Sequence, residues 1–187
     1  MISFLMSRLF AILNIAGPDL LLRDYGRRAF PTLEENLLLT PAGQALSLDF
    51  SDISVMDTSF ADETLLELAT GLIEGKYGDR FLILERPSPA TIDNIEGTIA
   101  RRRIKIALLV QQTDGMQLVG HIEPNLAEVW QMALPAVTLT ARGLANQLGL
   151  QLNTASTRLH KLYNARLLAR YEEITSAGRQ HLYDIPR

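Results

Sequence analysis

The chain has 187 residues, of which 47% are apolar and 21% charged, the balance of an ordinary globular protein rather than a disordered one. It has no cysteine, which excludes disulfides, iron–sulfur clusters and thiolate zinc sites, and its histidines (His121, His160 and His181) lack a metal-ligand spacing, so no metal is expected. The net charge of −3 hides a division, because residues 1–136 carry 11 basic and 18 acidic side chains while residues 137–187 carry 7 and 3. An acidic body thus precedes a small basic tail, and basic patches attract phosphates.

The longest apolar stretch, 1–16, is interrupted by Arg8. It is too short to cross a bilayer and has no basic start before its apolar run, so the expectation is a cytoplasmic protein with no membrane partner. Residues 9–15 read as a strand. Within 20–39 a helix is expected around 31–37, with Pro31 in its first turn. A turn at 41–44 leads to a strand over 45–50, with Leu46, Leu48 and Phe50 on one face. The clearest helix is 59–75, where Leu65, Leu68, Ala69, Leu72 and Ile73 form one apolar stripe and Gly75 and Gly78 end it. A buried strand over 80–85 follows. Ser88 and Pro89 then open a helix that runs to about Arg103. A strand over 104–111, a hairpin turn at Asp114-Gly115, a strand over 116–121 and a helix over 124–132 complete the body. The order implies an α/β layer, a mixed sheet with helices against it. Pro135-Ala136-Val137 marks a boundary. The expected organisation is an α/β domain over 1–122, a connecting helix over 123–136 and a small domain over 137–187.

In the tail, Thr140 is placed to cap a short helix with Leu144, Ala145 and Leu148 inward, ended by Gly149. A second helix starts near Asn153-Thr154 and runs to about Ala165, with Ala155, Leu159 and Leu162 on one face and Thr154, Thr157, Arg158 and Lys161 on a polar stripe. Two short strands, 168–174 and 179–185, flank a turn at 175–178. The stretch 144–170 closely resembles a winged helix-turn-helix, in its leucine–alanine and leucine–glycine spacings, its Ser/Thr-rich second-helix start and its Leu167-Leu168 pair before the strand. Arg166 stands where such sequences carry glycine; either Asn164 takes the left-handed turn or the helix ends differently. The resemblance implies double-stranded DNA as partner. Asn153, Thr154, Ser156 and Thr157 have the chemistry to bond phosphates or base edges, Arg158 to read guanine, Lys161 to sit on phosphate, and Arg170 and Arg179 to reach DNA from the strands. The alternative is a solvated polar face used for protein contacts or a homodimer.

In the body, Asp57-Thr58-Ser59 is delivered by a strand to the start of the long helix. This junction, with Ser59-Phe-Ala-Asp-Glu63 and Arg23-Asp-Tyr-Gly26, resembles the STAS domain of anti-sigma-factor antagonists and its less characterised STAS-like relatives, over roughly 9–121. The resemblance makes Thr58 and Ser59 candidate phosphorylation sites, although Phe60 replaces the family's glycine. A capping box of Ser59 with Asp62 explains the same residues without a switch. The run Arg101-Arg102-Arg103 with Lys105 reads as a solvated helix end, or as a phosphate or nucleotide contact. Asp49, Asp52 and Asp57 cluster after a strand. Trp130 reads as a core or inter-domain anchor. No nucleotide-binding glycine motif, metalloprotease motif or nucleophile elbow occurs, so neither an enzyme nor a cofactor is expected. The resulting expectation is a DNA-binding transcriptional regulator with a STAS-like sensing domain. The alternative is a partner-switch protein without DNA contact, docking on an anti-sigma or histidine-kinase-like ATPase.

Overall fold

A computed structural model describes residues 2–135, 138–175 and 178–187. The chain divides into two compact units, Met1–His121 and Ile122–Arg187. The helix expected as a connector over 123–136 therefore belongs to the second unit. Of the expected boundary tripeptide, Ala136 and Val137 lie outside the described residues, as do Ser176 and Ala177 of the expected turn at 175–178.

The first unit is mixed α/β with a mostly parallel five-stranded sheet. Its strands are β1 (Ile2–Leu5), β3 (Ala45–Asp49), β5 (Phe81–Glu85), β6 (Ala107–Gln112) and β7 (Gly115–Gly120), in that spatial order. The first four run parallel, and β7 returns antiparallel to β6 through the turn at Asp114-Gly115. All five residues of β3 and the first four of both β5 and β6 are buried, the mark of strands covered on both faces.

The N-terminus departs from expectation. The strand is β1, and residues 9–15 instead enter α1 (Arg8–Leu13). Leu9 and Leu13, four apart, are both buried, which is a helical spacing. Asn14 ends the helix in a left-handed conformation (φ 57), with the Asn14 and Ile15 N–H groups donating to Ala11 O and Phe10 O. The next helix is α2 (Arg23–Leu39), longer than expected and with Pro31 in its interior rather than its first turn. A proline there removes one hydrogen bond, and burial of Gly26, Ala29, Leu33 and Leu37 along one stripe holds the helix through it.

Two short parallel strands, β2 (Asp19–Leu20) and β4 (Val55–Met56), place the start of α2 beside the start of α3 (Thr58–Glu63). Asp57 fastens the two, accepting from Phe60 N at 2.7 Å as helix cap and from Leu22 N at 3.0 Å. The cap of α3 is thus Asp57, not the expected Ser59, and Asp62 is left for other partners. The single helix expected over 59–75 is broken at Thr64 (φ −122, ψ −81), and α4 (Leu65–Ile73) follows. Buried Thr64 donates its hydroxyl to Phe60 O at 2.7 Å, a local bond that competes with helix continuation. Next, α5 (Pro89–Arg102) starts as expected, with Ser88 accepting from Thr91 N. Thr91 and Asn94 dock it on Met56, Thr91 Oγ1 accepting from Met56 N at 3.0 Å and Asn94 Nδ2 donating to Met56 O at 2.9 Å.

Where α2 meets α3, Gly26 has no room for a side chain. A Cβ there would stand 3.0 Å from Glu63 Cβ and 3.2 Å from Phe60 Cα. Gly26→Val is expected to lower stability by about 1–3 kcal/mol in chemical denaturation, whereas Gly97→Ala, in open space on α5, should leave it unchanged or raise it.

The second unit contains α6 (Pro124–Ala133), α7 (Ala141–Leu148), α8 (Leu152–Asn164) and a hairpin of β8 (Ala169–Thr175) and β9 (Gly178–Asp184). Leu139 adds a third strand position, exchanging both backbone hydrogen bonds with Tyr183. Thr140 caps α7 through Gly143 N at 3.0 Å, and Gly149 (φ 62) ends it, both as expected. Arg166 itself takes the left-handed conformation (φ 62). Its N–H donates to Tyr163 O and that of Leu167 to Leu162 O, both at 2.9 Å, with Leu162 and Leu167 buried together. The α8 terminus therefore keeps the geometry of a glycine-ended helix without the glycine.

Candidate nucleic-acid interface

The polar stripe expected on α8 is split by its neighbours. Arg158 is 19% exposed and lies 3.6 Å from Glu128 of α6. Lys161 lies 3.6 Å from Glu123, also at the start of α6. Arg158 is thus mostly enclosed beside Glu128, whereas the Lys161–Glu123 contact is solvated. Asn153, Thr154, Ser156, Thr157 and His160 are exposed on the remaining surface of the helix. Thr157 Oγ1 donates to Asn153 O at 2.8 Å.

The open side of α8 borders a groove of about 330 Å³ between the start of α7, the start of α8 and β9. Arg142 enters it from α7, Asn153 and Ser156 from α8, and Arg179, Gln180 and His181 from β9. The antiparallel register explains Arg179 and His181. Arg179, His181 and Tyr183 alternate on one face of the hairpin, opposite Ile174, Glu172 and Arg170. Arg179 is 67% exposed, with Glu172 at 3.7 Å. The N-cap of α8, Gln151, makes no side-chain capping bond beside the groove. The Nδ1 atom of His181 is buried without a hydrogen-bond partner among the described residues.

Arg170 is committed elsewhere. Its guanidinium lies 4.3 Å from the centroid of the Tyr163 ring, and Arg166 covers the same ring at 5.5 Å. Burial pushes the Tyr183 hydroxyl above the usual tyrosine range, with the charge and hydrogen bond of Arg170 pulling the other way. Arg170 thus braces β8 against α8. Burial likewise raises the Asp184 carboxyl, against the opposing charge of Arg187.

Of the residues expected to contact DNA, the structure gathers Asn153 and Arg179 on the groove, with Ser156 beside them. It leaves Thr154 and Thr157 exposed on α8 and turns Arg158, Lys161 and Arg170 toward partners inside the unit. Arg142, Gln180 and His181 were not anticipated. Arg142, two residues after the Thr140 cap on a helix whose apolar positions point inward, was findable from that pattern. His181 needs the hairpin register, and Gln180 lies on the other face of the hairpin, its Nε2 donating to Glu173 Oε2 at 2.6 Å.

In the first unit, Thr58 and Ser59 are half-buried at the first two positions of α3, next to Asp57. The three carboxylates that cluster after β3 and β4 have separate duties. Asp49 accepts from Ser51 N and from Arg86 (2.6 Å), Asp52 from Ser7, and Asp57 caps α3. Among the described residues no group of three or more His, Asp or Glu is placed to hold a metal ion, and no helix is long and apolar enough to cross a membrane. No family model matches the chain, and comparison with curated proteins and with solved structures finds no match.

Proposed function

We propose that the second unit is a winged helix-turn-helix that binds double-stranded DNA, and that the first is a STAS-like domain through which a partner or signal regulates it. The observation that carries this reading is the groove at the start of α8, a concave strip with arginines on two rims (Arg142 and Arg179) and short polar side chains between them. Backbone phosphates suit the arginines and the first-turn N–H groups, and base edges suit Asn153 and Ser156. The groove lining carries two arginines and Arg158 is enclosed beside Glu128, so affinity rests on few charges and benefits from a homodimer or a second contact.

In the first unit, the regulatory surface in this reading is the β4–α3 junction. Asp57 ties the starts of α2 and α3 together there, and Thr58 and Ser59 stand beside the helix N-terminus. A partner of the anti-sigma or histidine-kinase-like ATPase class would engage that junction and shift the population of DNA-competent chains.

The test is selection of the full chain on a randomised duplex pool, followed by affinity measurements on the enriched site. An enriched site is expected. On it, Asn153→Ala should cost about 1–3 kcal/mol and relax preference at one base position, with non-specific binding unchanged. Failure to enrich any sequence, together with equal affinity for duplex and for a neutral polymer, would favour the docking protein without DNA contact.

A further inference from the structure

The cationic run at the end of α5 divides in two. Arg102 donates to Asp62 at 2.5 Å and to Glu67 at 2.8 Å, and Arg101 lies 3.7 Å from Asp62. Arg103 does not follow them. It is the C-cap of α5, left-handed at φ 55 and ψ 32, with its N–H donating to Ala100 O at 3.1 Å. After this reversal the chain alternates. Ile104 and Ile106 pack against the core, and Arg103 and Lys105 are exposed. His121 N donates to Ile106 O at 2.7 Å, which brings the end of β7 alongside. Arg103, Lys105 and His121 thereby share the lining of one concavity of about 400 Å³, whose apolar wall is Ile99, Ala100 and Ile104.

We propose that this concavity binds a small organic anion, a carboxylate or phosphate carried on an apolar body. Three arginines in the chain hold left-handed backbone conformations, Arg86 (φ 54), Arg103 and Arg166 (φ 62). Such a position favours glycine, and each arginine there carries a conformational cost. Arg86 meets Asp49 at 2.6 Å, and Arg166 covers the Tyr163 ring. Arg103 has no side-chain partner among the described residues, and neither do Lys105 and His121. The chain thus keeps a strained cation at a turn that glycine would make more cheaply, and places it with a second cation and an imidazole on the lining of a partly apolar hollow. Cations beside an apolar wall select an anion with an apolar body over a bare ion. Glu96 is the one carboxylate on the described lining. It disfavours polyanions and orients a ligand with its negative group toward Arg103 and Lys105. The proposal does not depend on the DNA-binding reading, since every lining residue lies in the first unit.

The experiment is a ¹⁵N–¹H NMR titration of the full chain with phenyl phosphate, benzoate, inorganic phosphate and benzyl alcohol. Saturable shifts are expected for amides of residues 99–105 and 120–121 with phenyl phosphate or benzoate. The tighter of these two identifies the anionic group. Inorganic phosphate and benzyl alcohol should bind at least about tenfold more weakly. Arg103→Gly preserves the turn, so it should unfold no earlier than wild type while losing at least about tenfold in affinity for the tighter anion. Lys105→Ala, at an exposed position, should lose affinity without a change in folding. The proposal is overturned if neither organic anion shifts those amides, if benzyl alcohol or inorganic phosphate binds as tightly, or if Arg103→Gly binds like wild type.

Discussion

Asp62→Ala is expected to destabilise the first unit by about 3 kcal/mol, measured by chemical denaturation. Asp62 is only 6% exposed, yet its carboxylate accepts from Arg23 at 2.9 Å and from Arg102 at 2.5 Å, with Arg101 at 3.7 Å. These contacts join α2, α3 and the end of α5. Arg102 is the more enclosed cation, and its remaining carboxylate partner, Glu67, is itself half-exposed. Removing Asp62 leaves Arg102 with an incomplete set of acceptors in a low-dielectric site, which costs more than the pair is worth when intact. Arg27→Ala should have little effect, because Arg27 is mostly exposed and contacts Glu63 from the rim.

The pH dependence has a definite sign. Burial alone would raise the Asp62 carboxyl. The hydrogen bonds from Arg23 and Arg102, with the charges of Arg102 and Arg101, outweigh it and hold the group below the ordinary aspartate range. A carboxyl depressed in the folded state contributes stability that is complete above its unfolded pKa, near about 4, and lost as pH falls below it. Wild type should therefore lose stability more steeply than Asp62→Asn as pH falls below about 4.

The second large effect is on DNA. Arg142→Ala combined with Arg179→Ala should reduce duplex affinity about 50-fold at 0.1 M salt, if each arginine neutralises one phosphate. Arg142 is exposed, and the contact of Arg179 with Glu172 is solvated, so the double variant should retain the wild-type circular dichroism spectrum. Arg158→Ala with Lys161→Ala should weaken binding less, since neither residue lines the groove and Arg158 is mostly enclosed beside Glu128. An ordering in which the α8 pair dominates would move the interface from the groove to the α6 side of α8.

Elements with strong local signals were legible in the sequence. Ser88-Pro89, Thr140 and Asp114-Gly115 carry their own capping or turn chemistry, and all three form the expected structures. The misreadings arose where short- and long-range preferences compete. Residues 9–15 are apolar enough for either element, and only the left-handed Asn14 and the burial of Leu9 with Leu13 decide for helix. Pro31 reads as a first-turn residue by its own preference, but tertiary burial carries α2 through it. Ser59 resembles a cap because Asp62 lies three residues on, yet Asp57 reaches Phe60 N first and Asp62 belongs to an ion-pair cluster that reaches from Arg23 to Arg102. For the candidate interface, residue types and helix positions were readable. The partners that draw Arg158, Lys161 and Arg170 inward lie on other elements, and no periodicity within α8 reveals them.

The most direct measurement is the equilibrium affinity of the full chain for a duplex of about 25 base pairs, followed by fluorescence anisotropy from about 50 to 300 mM salt. DNA binding through the α8 groove predicts a linear fall of log affinity with log salt, with a slope of about −2 or steeper for wild type and a slope shallower by about 2 for the Arg142/Arg179 double variant. No binding at the lowest salt, or the same slope in both proteins, would contradict it.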